Sequence, residues 1–227
     1  MELVQASHLF HRTAATRSPF IFDLTWLTNS SDTWTWKLDP SGSFTTKSMR
    51  CCLQNATFGP KTWPFPWNRL APLKVNILGW RIEQNRLPIK DLLLQRNIAV
   101  TSPSCPICNN HDETVAHLFL HCQLADSLWT FLSLWCRLPL PKPSNLRELF
   151  DLHTTAEIDT RKKKFVNLVV LAYCWILWKT RNDLVFNNKV PSLRYAIKEL
   201  KSLSFLWIAH RSPNNTIDWH KWNSFIF

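Results

Sequence analysis

Glycine is scarce in this chain, with 3 in 227 residues. That scarcity excludes glycine-rich phosphate loops, and neither a GxxxxGK[ST] nor a GxGxxG pattern occurs. It also argues against an all-β fold dense in tight turns. Acidic residues are few, 16 Asp and Glu against 27 Lys and Arg, for a formal net charge of +11 and a pI near 9.6. No apolar run reaches the ~20 residues that a membrane-spanning helix needs. The longest, Phe165 to Trp178, is interrupted by Asn167 and flanked by Lys162-Lys163-Lys164, Lys179 and Arg181. It predicts a buried core helix in a soluble protein with no membrane partner. Residues 1–16 alternate polar and apolar side chains without an apolar core or a small-residue cleavage pattern, so secretion is not expected.

The chain does hold 13 Trp, 14 Phe and an apolar fraction of 45%. These suffice for one large core or two small ones. Seven Cys is an odd number, and their closest separated spacing is Cys-x2-Cys. A reducing nuclear or cytoplasmic compartment fits that pattern better than a disulfide framework. Charge is arranged in blocks. Residues 47–100 carry nine basic and two acidic residues, 101–160 carry three and seven, and 161–211 carry eleven and two. Two basic arms flanking an acidic centre suit a polyanion, because Lys and Arg that neutralise phosphates release condensed counterions.

The elements predict a mainly α fold with a small N-terminal β-hairpin, a zinc-stapled loop and a helical C-terminal unit. Thr33 to Leu38 alternates, Asp39-Pro40-Ser41-Gly42 supplies turn residues, and Ser43 to Thr45 is expected to return as the second strand. Thr45 or Thr46 caps a helix to about Asn55, and Pro60, Pro64 and Pro66 mark a connector. Val75, Leu78 and Ile82 share one helical face between Leu73 and Asn85, with Arg81 off it. Pro88 begins a further helix through Arg96. Val115 to Trp135 predicts one long helix or two collinear ones. Pro139, Pro141 and Pro143 break that pattern, and with the polar segment 144–159 they predict a linker. Helices near 160–186 and 191–210 follow, the second with Ile197, Leu200, Leu203, Phe205, Leu206 and Trp207 on a broad apolar side. Trp219, Trp222 and Phe225 are expected to pack back on them. The expected domains are therefore an extension over 1–30, a zinc-containing domain over 31–138, a linker over 139–159 and a helical unit over 160–227.

Cys105-Pro106-Ile107-Cys108 places two thiolates on one side of a tight loop, and His117 is a third candidate ligand for a structural zinc ion. For the fourth, helix geometry favours His121, four residues after His117 and on the same face. Cys122 is the softer ligand and requires an irregular helix. The residues alone leave the two even.

Several short motifs occur in one order: Ser41-Gly42-Ser43-Phe44-Thr45-Thr46-Lys47-Ser48, Pro72-Leu73-Lys74-Val75, Trp80-Arg81, Asn85-Arg86-Leu87-Pro88, Cys105-Pro106-Ile107-Cys108, Glu113-Thr114, His117-Leu118-Phe119 and Cys122. Over about residues 30 to 190 the chain resembles the zinc-binding domain of plant non-LTR, LINE-type retrotransposon reverse transcriptases. Trp178-Lys179-Thr180-Arg181-Asn182 and Phe186 resemble a segment that follows this domain. The resemblance implies a Cys-x2-Cys, His-x4-Cys ligand set, hence Cys105, Cys108, His117 and Cys122 around one structural Zn2+. Ile89 departs from the family, which has a helix-capping Thr there. Glu113 is expected to support the start of the helix that follows it.

The resemblance further implies a nucleic-acid partner, RNA or single-stranded DNA, with Lys74, Arg81, Arg86, Lys90 and Arg96 as phosphate contacts. No catalytic residue is assigned. The paired aspartates of a polymerase centre are missing from this chain, and four protein ligands would close the metal shell to water. The competing readings are a zinc-stabilised protein-interaction module, a hydrolase or nuclease with an open zinc site, and a decayed retroelement fragment with no selected function.

Overall fold

The computed structural model describes residues 10–13, 33–58, 65–138, 142–155, 158–212 and 217–226. The chain forms two compact units, 1–64 and 65–227. In the first, β1 (Phe10–Thr13) pairs antiparallel with β2 (Thr33–Trp36), with Phe10 opposite Trp36 and Thr13 opposite Thr33. The partner of β2 thus precedes it, and Ser43 to Thr45 is not a strand.

The expected turn does form, since the Trp36 amide donates to the Gly42 carbonyl at 2.7 Å and the Gly42 amide to Asp39 at 2.9 Å. Gly42 is required there: its φ is +68°, and a Cβ would lie 2.9 Å from Thr35 Cγ2. Beyond the turn, Asp39 accepts bonds from the Ser41 amide, the Ser41 hydroxyl and Thr45 Oγ1, which gather the return segment into a helix start. Those Ser41 bonds hold the Asp39 carboxyl below the usual carboxylate range. Thr45 Oγ1 accepts the Ser48 amide at 3.1 Å and so caps α1 (Thr46–Phe58). Ser48 in turn accepts the indole proton of buried Trp36 at 2.7 Å, tying helix to strand. Pro60 and Pro64 of the expected connector lie outside the described residues, as do residues 1–9, 14–30, Pro139 and Pro141.

The second unit comprises α2 (Leu73–Glu83), α3 (Lys90–Leu94), a π-helical turn (His117–His121), α4 (Gln123–Cys136), α5 (Leu146–Thr155), α6 (Thr160–Asn187), α7 (Leu193–Arg211) and α8 (Trp219–Ser224). Its centre is α6, against which α2, α4, α5 and α7 all pack. Residues Phe165 to Cys174 of α6 are buried without interruption, as a helix that is apolar all round must be. Among the described residues, no helix is long and apolar enough to cross a membrane. Asn167 fits this core because its Oδ1 accepts from Asn68 Nδ2 at 2.8 Å. Asn68 itself exchanges bonds with Asn76 on α2, its amide donating to Asn76 Oδ1 and its carbonyl accepting from Asn76 Nδ2, each at 2.9 Å.

Within 144–159, helix α5 buries Leu149, Phe150 and Leu152. Helix α7 starts from Ser192, whose hydroxyl accepts the Tyr195 amide. Its buried side is narrower than the sequence suggests: Ala196, Leu200, Ser204, Trp207 and Ile208 are buried, whereas Leu206 is exposed. Trp222 and Phe225 return to the core, Trp222 meeting Trp135 edge-on at 5.4 Å. Trp219 stays 45% exposed against the ring of Phe205.

The scarcity of glycine is met by asparagine. Asn85, Asn97 and Asn188 take left-handed backbone after α2, α3 and α6 with φ of 52° to 58°. Arg86 then donates back to Arg81, Ile98 to Leu93 and Lys189 to Asp183. These bonds close the helix ends in the manner otherwise given to a C-terminal glycine, and Asn is the side chain that best tolerates that region.

Candidate metal centre

The metal loop is built from short-range rules. Ser104 and Asp112 form an isolated antiparallel bridge. Inside it, the Cys105 amide donates to His111 O at 2.7 Å and the Asn109 amide to Cys105 O at 2.9 Å. Asn109 takes φ +55°, so the chain turns sharply straight after Cys108 and both sulfurs face the same side.

His117 and Cys122 are brought together by an irregular helix. In a regular α-helix, residues five apart point about 140° away from each other. Here the Cys122 amide donates to His117 O at 2.7 Å, an i to i+5 bond that widens the turn and carries Cys122 back over His117. Cys122 itself is extended, with φ −66° and ψ 141°, and separates the π turn from α4. This break replaces the single long helix that the apolar pattern allows. It also frees the Phe119 carbonyl, which in a continuous helix would take the Gln123 amide; the Tyr173 hydroxyl of α6 lies 2.7 Å from it and donates there. His121, the alternative fourth ligand, is exposed, whereas Cys122 is fully buried.

The result is one cluster. The ligand atoms of Cys105, Cys108, His117 and Cys122 all lie within 4.8 Å of one another. Cys105 Sγ and Cys122 Sγ are 4.0 Å apart, and Cys108 Sγ is 3.3 Å from His117 Nε2. Thiolates at about 2.3 Å from a tetrahedral zinc ion stand ~3.8 Å apart, so these separations fit one ion. Burial lowers the pKa of His117, and the neighbouring His111 and His121 add to this, so the imidazole is held neutral as a ligand must be. The Cys105 thiol is pushed far up by its bond to Cys122 and by burial, while that same bond lowers Cys122. A dication among the sulfurs reverses the penalty on the second thiolate. The residues present therefore fit a zinc ion, whose chemistry when bound would be that of a structural cross-link.

Glu113 serves a different helix from the one expected. Its Oε2 accepts the Lys90 amide at 3.0 Å and its carbonyl accepts the Asp91 amide at 3.3 Å, so it caps the preceding helix, α3. Ile89, which offers no side-chain cap, is compensated from the metal loop. Both carboxylate oxygens also receive Arg181 from α6, Nε to Oε1 at 2.7 Å and Nη2 to Oε2 at 2.8 Å, with the two side chains buried. Sequence reasoning assigned Arg181 no role. The available signal is its helical spacing from Leu177 and Cys174, which places a charge on a buried stripe and calls for a partner.

The five expected phosphate contacts are distributed along α2, α3 and the turns after them. Lys74 Nζ lies 4.9 Å above the Trp175 ring. Arg81 is exposed at the end of α2, with Nε and Nη2 donating to the Arg86 carbonyl at 3.2 and 3.1 Å. Arg86 is half-buried in that turn, and Arg96 is exposed beyond α3. Lys90 differs, since its amine donates to Ser104 O at 2.7 Å and so supports the metal loop.

Residues 44–129 match the family described as zinc-binding in reverse transcriptase. No curated protein and no solved structure gives a significant match. The matched span contains all four clustered ligands: residues 44–129 are similar to a zinc-binding family of reverse transcriptases, and within them Cys105, Cys108, His117 and Cys122 are positioned to hold one metal ion.

Proposed function

We propose that this chain is a nucleic-acid-binding module derived from a retroelement of the plant non-LTR, LINE type, in which zinc is structural and no bond chemistry takes place. The observation that carries the reading is the closed Cys3His cluster inside a reverse transcriptase zinc-binding match, set between two strongly basic blocks. Four protein ligands leave no position for an activated water, which separates a staple from a catalytic centre. Lys74, Arg81, Arg86 and Arg96 contact phosphates, while Lys90 contributes mainly through its bond to the metal loop.

The test combines metal analysis with titration of single-stranded RNA, single-stranded DNA and duplex at several salt concentrations. One zinc per chain and affinity that falls steeply from about 50 to about 200 mM salt are expected. Affinity that stays flat over that range removes the electrostatic mechanism. Hydrolysis of the titrated strand, dependent on zinc, would replace this reading with that of a nuclease.

A further inference from the structure

The only two acids among residues 161–211 are Asp183 and Glu199, and both are engaged by neighbours: Lys189 lies 3.6 Å from Asp183 and Lys179 2.6 Å from Glu199. Arg181 is engaged by Glu113. On α7, Arg211 at the C-terminal end donates to Ala71 O, and the three cations before it, Arg194, Lys198 and Lys201, fall in a row. At 3.6 residues per turn, Arg194, Lys198, Lys201 and Phe205 lie within about 60° of one another along the helix, over ~16 Å. Arg194 and Lys198 are exposed and form no ion pair among the described residues.

The row ends on aromatic surface. Lys201 is fixed 5.3 Å above Phe131 and 5.2 Å above Trp135, its amine donating to Asn223 O and Oδ1. One turn on, Phe205 meets Trp219 edge-on at 5.3 Å, and Trp219 keeps 45% of its surface exposed. Trp219 is held by α8, which Asp218 caps and which buried Trp222 anchors through its indole N–H to Lys201 O at 3.1 Å. Cations in file beside a rigidly mounted, half-exposed indole make a surface that attracts a phosphate chain and gives one of its bases a face to stack on.

We propose that the α7–α8 face, through Arg194, Lys198 and Trp219, binds single-stranded nucleic acid. This site lies outside residues 44–129 and is separate from the contacts on α2 and α3; it rests on the proposed nucleic-acid function but can fail independently of it. Charge complementarity selects a polyanion, and the stacking residue selects unpaired bases over a duplex, whose bases are covered.

The experiment uses the full chain, labelled oligothymidylate, a duplex of equal length and phosphatidylserine vesicles. Arg194→Ala/Lys198→Ala is expected to lower the salt slope for oligothymidylate by about 1.4, from ~0.7 per lost phosphate contact on a single strand. Trp219→Leu is expected to weaken binding about fivefold or more, and Arg194→Lys/Lys198→Arg to retain wild-type affinity. An unchanged affinity and salt slope in Arg194→Ala/Lys198→Ala, with affinity lost in Arg81→Ala/Arg96→Ala, overturns this site and leaves the proposed function standing. Absence of oligonucleotide binding by the wild type ends both, and binding to vesicles alone assigns the face to anionic lipid instead.

Discussion

Arg181 on α6 donates from Nε and Nη2 to the two carboxylate oxygens of Glu113, 68 residues earlier, at 2.7 and 2.8 Å. Glu113 stands four residues before His117 and caps α3, so one carboxylate joins the metal loop, α3 and the central helix. Two charges taken out of water hold each other only when their geometry and their remaining hydrogen bonds are good, and here both conditions are met. The zinc-binding segment is thereby tied to a residue beyond the 44–129 match.

Breaking this pair from one side leaves a buried charge without its partner. Arg181→Met is expected to lower the unfolding free energy by about 3–5 kcal/mol, and Glu113→Gln by a similar amount. The double variant Glu113→Gln/Arg181→Met should recover part of the loss. Urea denaturation of the three variants checks this, and equal, additive losses would mean that the two side chains do not act together.

The π turn decides the fourth ligand, and two variants separate the candidates. Cys122→Ser should lose stoichiometric zinc and loosen residues 100–135, because metal binding supplies folding free energy. His121→Asn should keep one zinc per chain. Metal analysis with hydrogen exchange over that segment reads both outcomes, and the reverse pattern would return the site to an ordinary helix with ligands four apart.

Gly79 faces α6 at close range. A Cβ there would lie 2.6 Å from Phe65 Cζ and 2.8 Å from Leu171 Cδ2. Alanine is favoured in a helix by about 1 kcal/mol. Overpacking a filled core costs about 1–3 kcal/mol, so Gly79→Ala is expected to lower Tm on balance. A raised Tm would show that α2 and α6 can separate freely.

Burial lowers the pKa of His153, more than the nearby Phe150 carbonyl and Asp151 raise it. The folded state therefore resists its protonation. Its contribution to stability is complete above the ordinary value of 6.5 and is lost as pH falls through the depressed folded value. Thermal melts from pH 8 downward should show the wild type losing Tm relative to His153→Gln as pH falls. A wild type that gains Tm relative to the variant below about pH 6 would reverse the sign.

Much of the helical content was legible from residue pattern alone. The buried character of Phe165 to Trp178, the apolar face of α2, the Cys105 and Cys108 loop and the capping by Thr45 all follow from local rules, since periodicity, turn chemistry and ligand type act over a few residues. Places decided by distant partners were not legible. The strand opposite β2 is Phe10–Thr13 because Asp39 draws Ser43 to Thr45 toward a helix cap, leaving the ladder to an earlier segment.

The amino-acid sequence by itself determined most of the chemistry of the metal site, the two thiols of Cys105 and Cys108 and the imidazole of His117 with the fourth ligand open between His121 and Cys122, and it determined the basic character of the arms around it. Only the tertiary structure decided that Glu113 caps α3 and pairs with Arg181, that Tyr173 serves the carbonyl released at the π turn, and that Lys201 of α7 is engaged by Asn223 while Arg194 and Lys198 are exposed. The physical reason is the same in each case. A buried charge or an interrupted helix is stable only with a hydrogen-bonding partner, and that partner can come from any part of the chain that packing brings within reach.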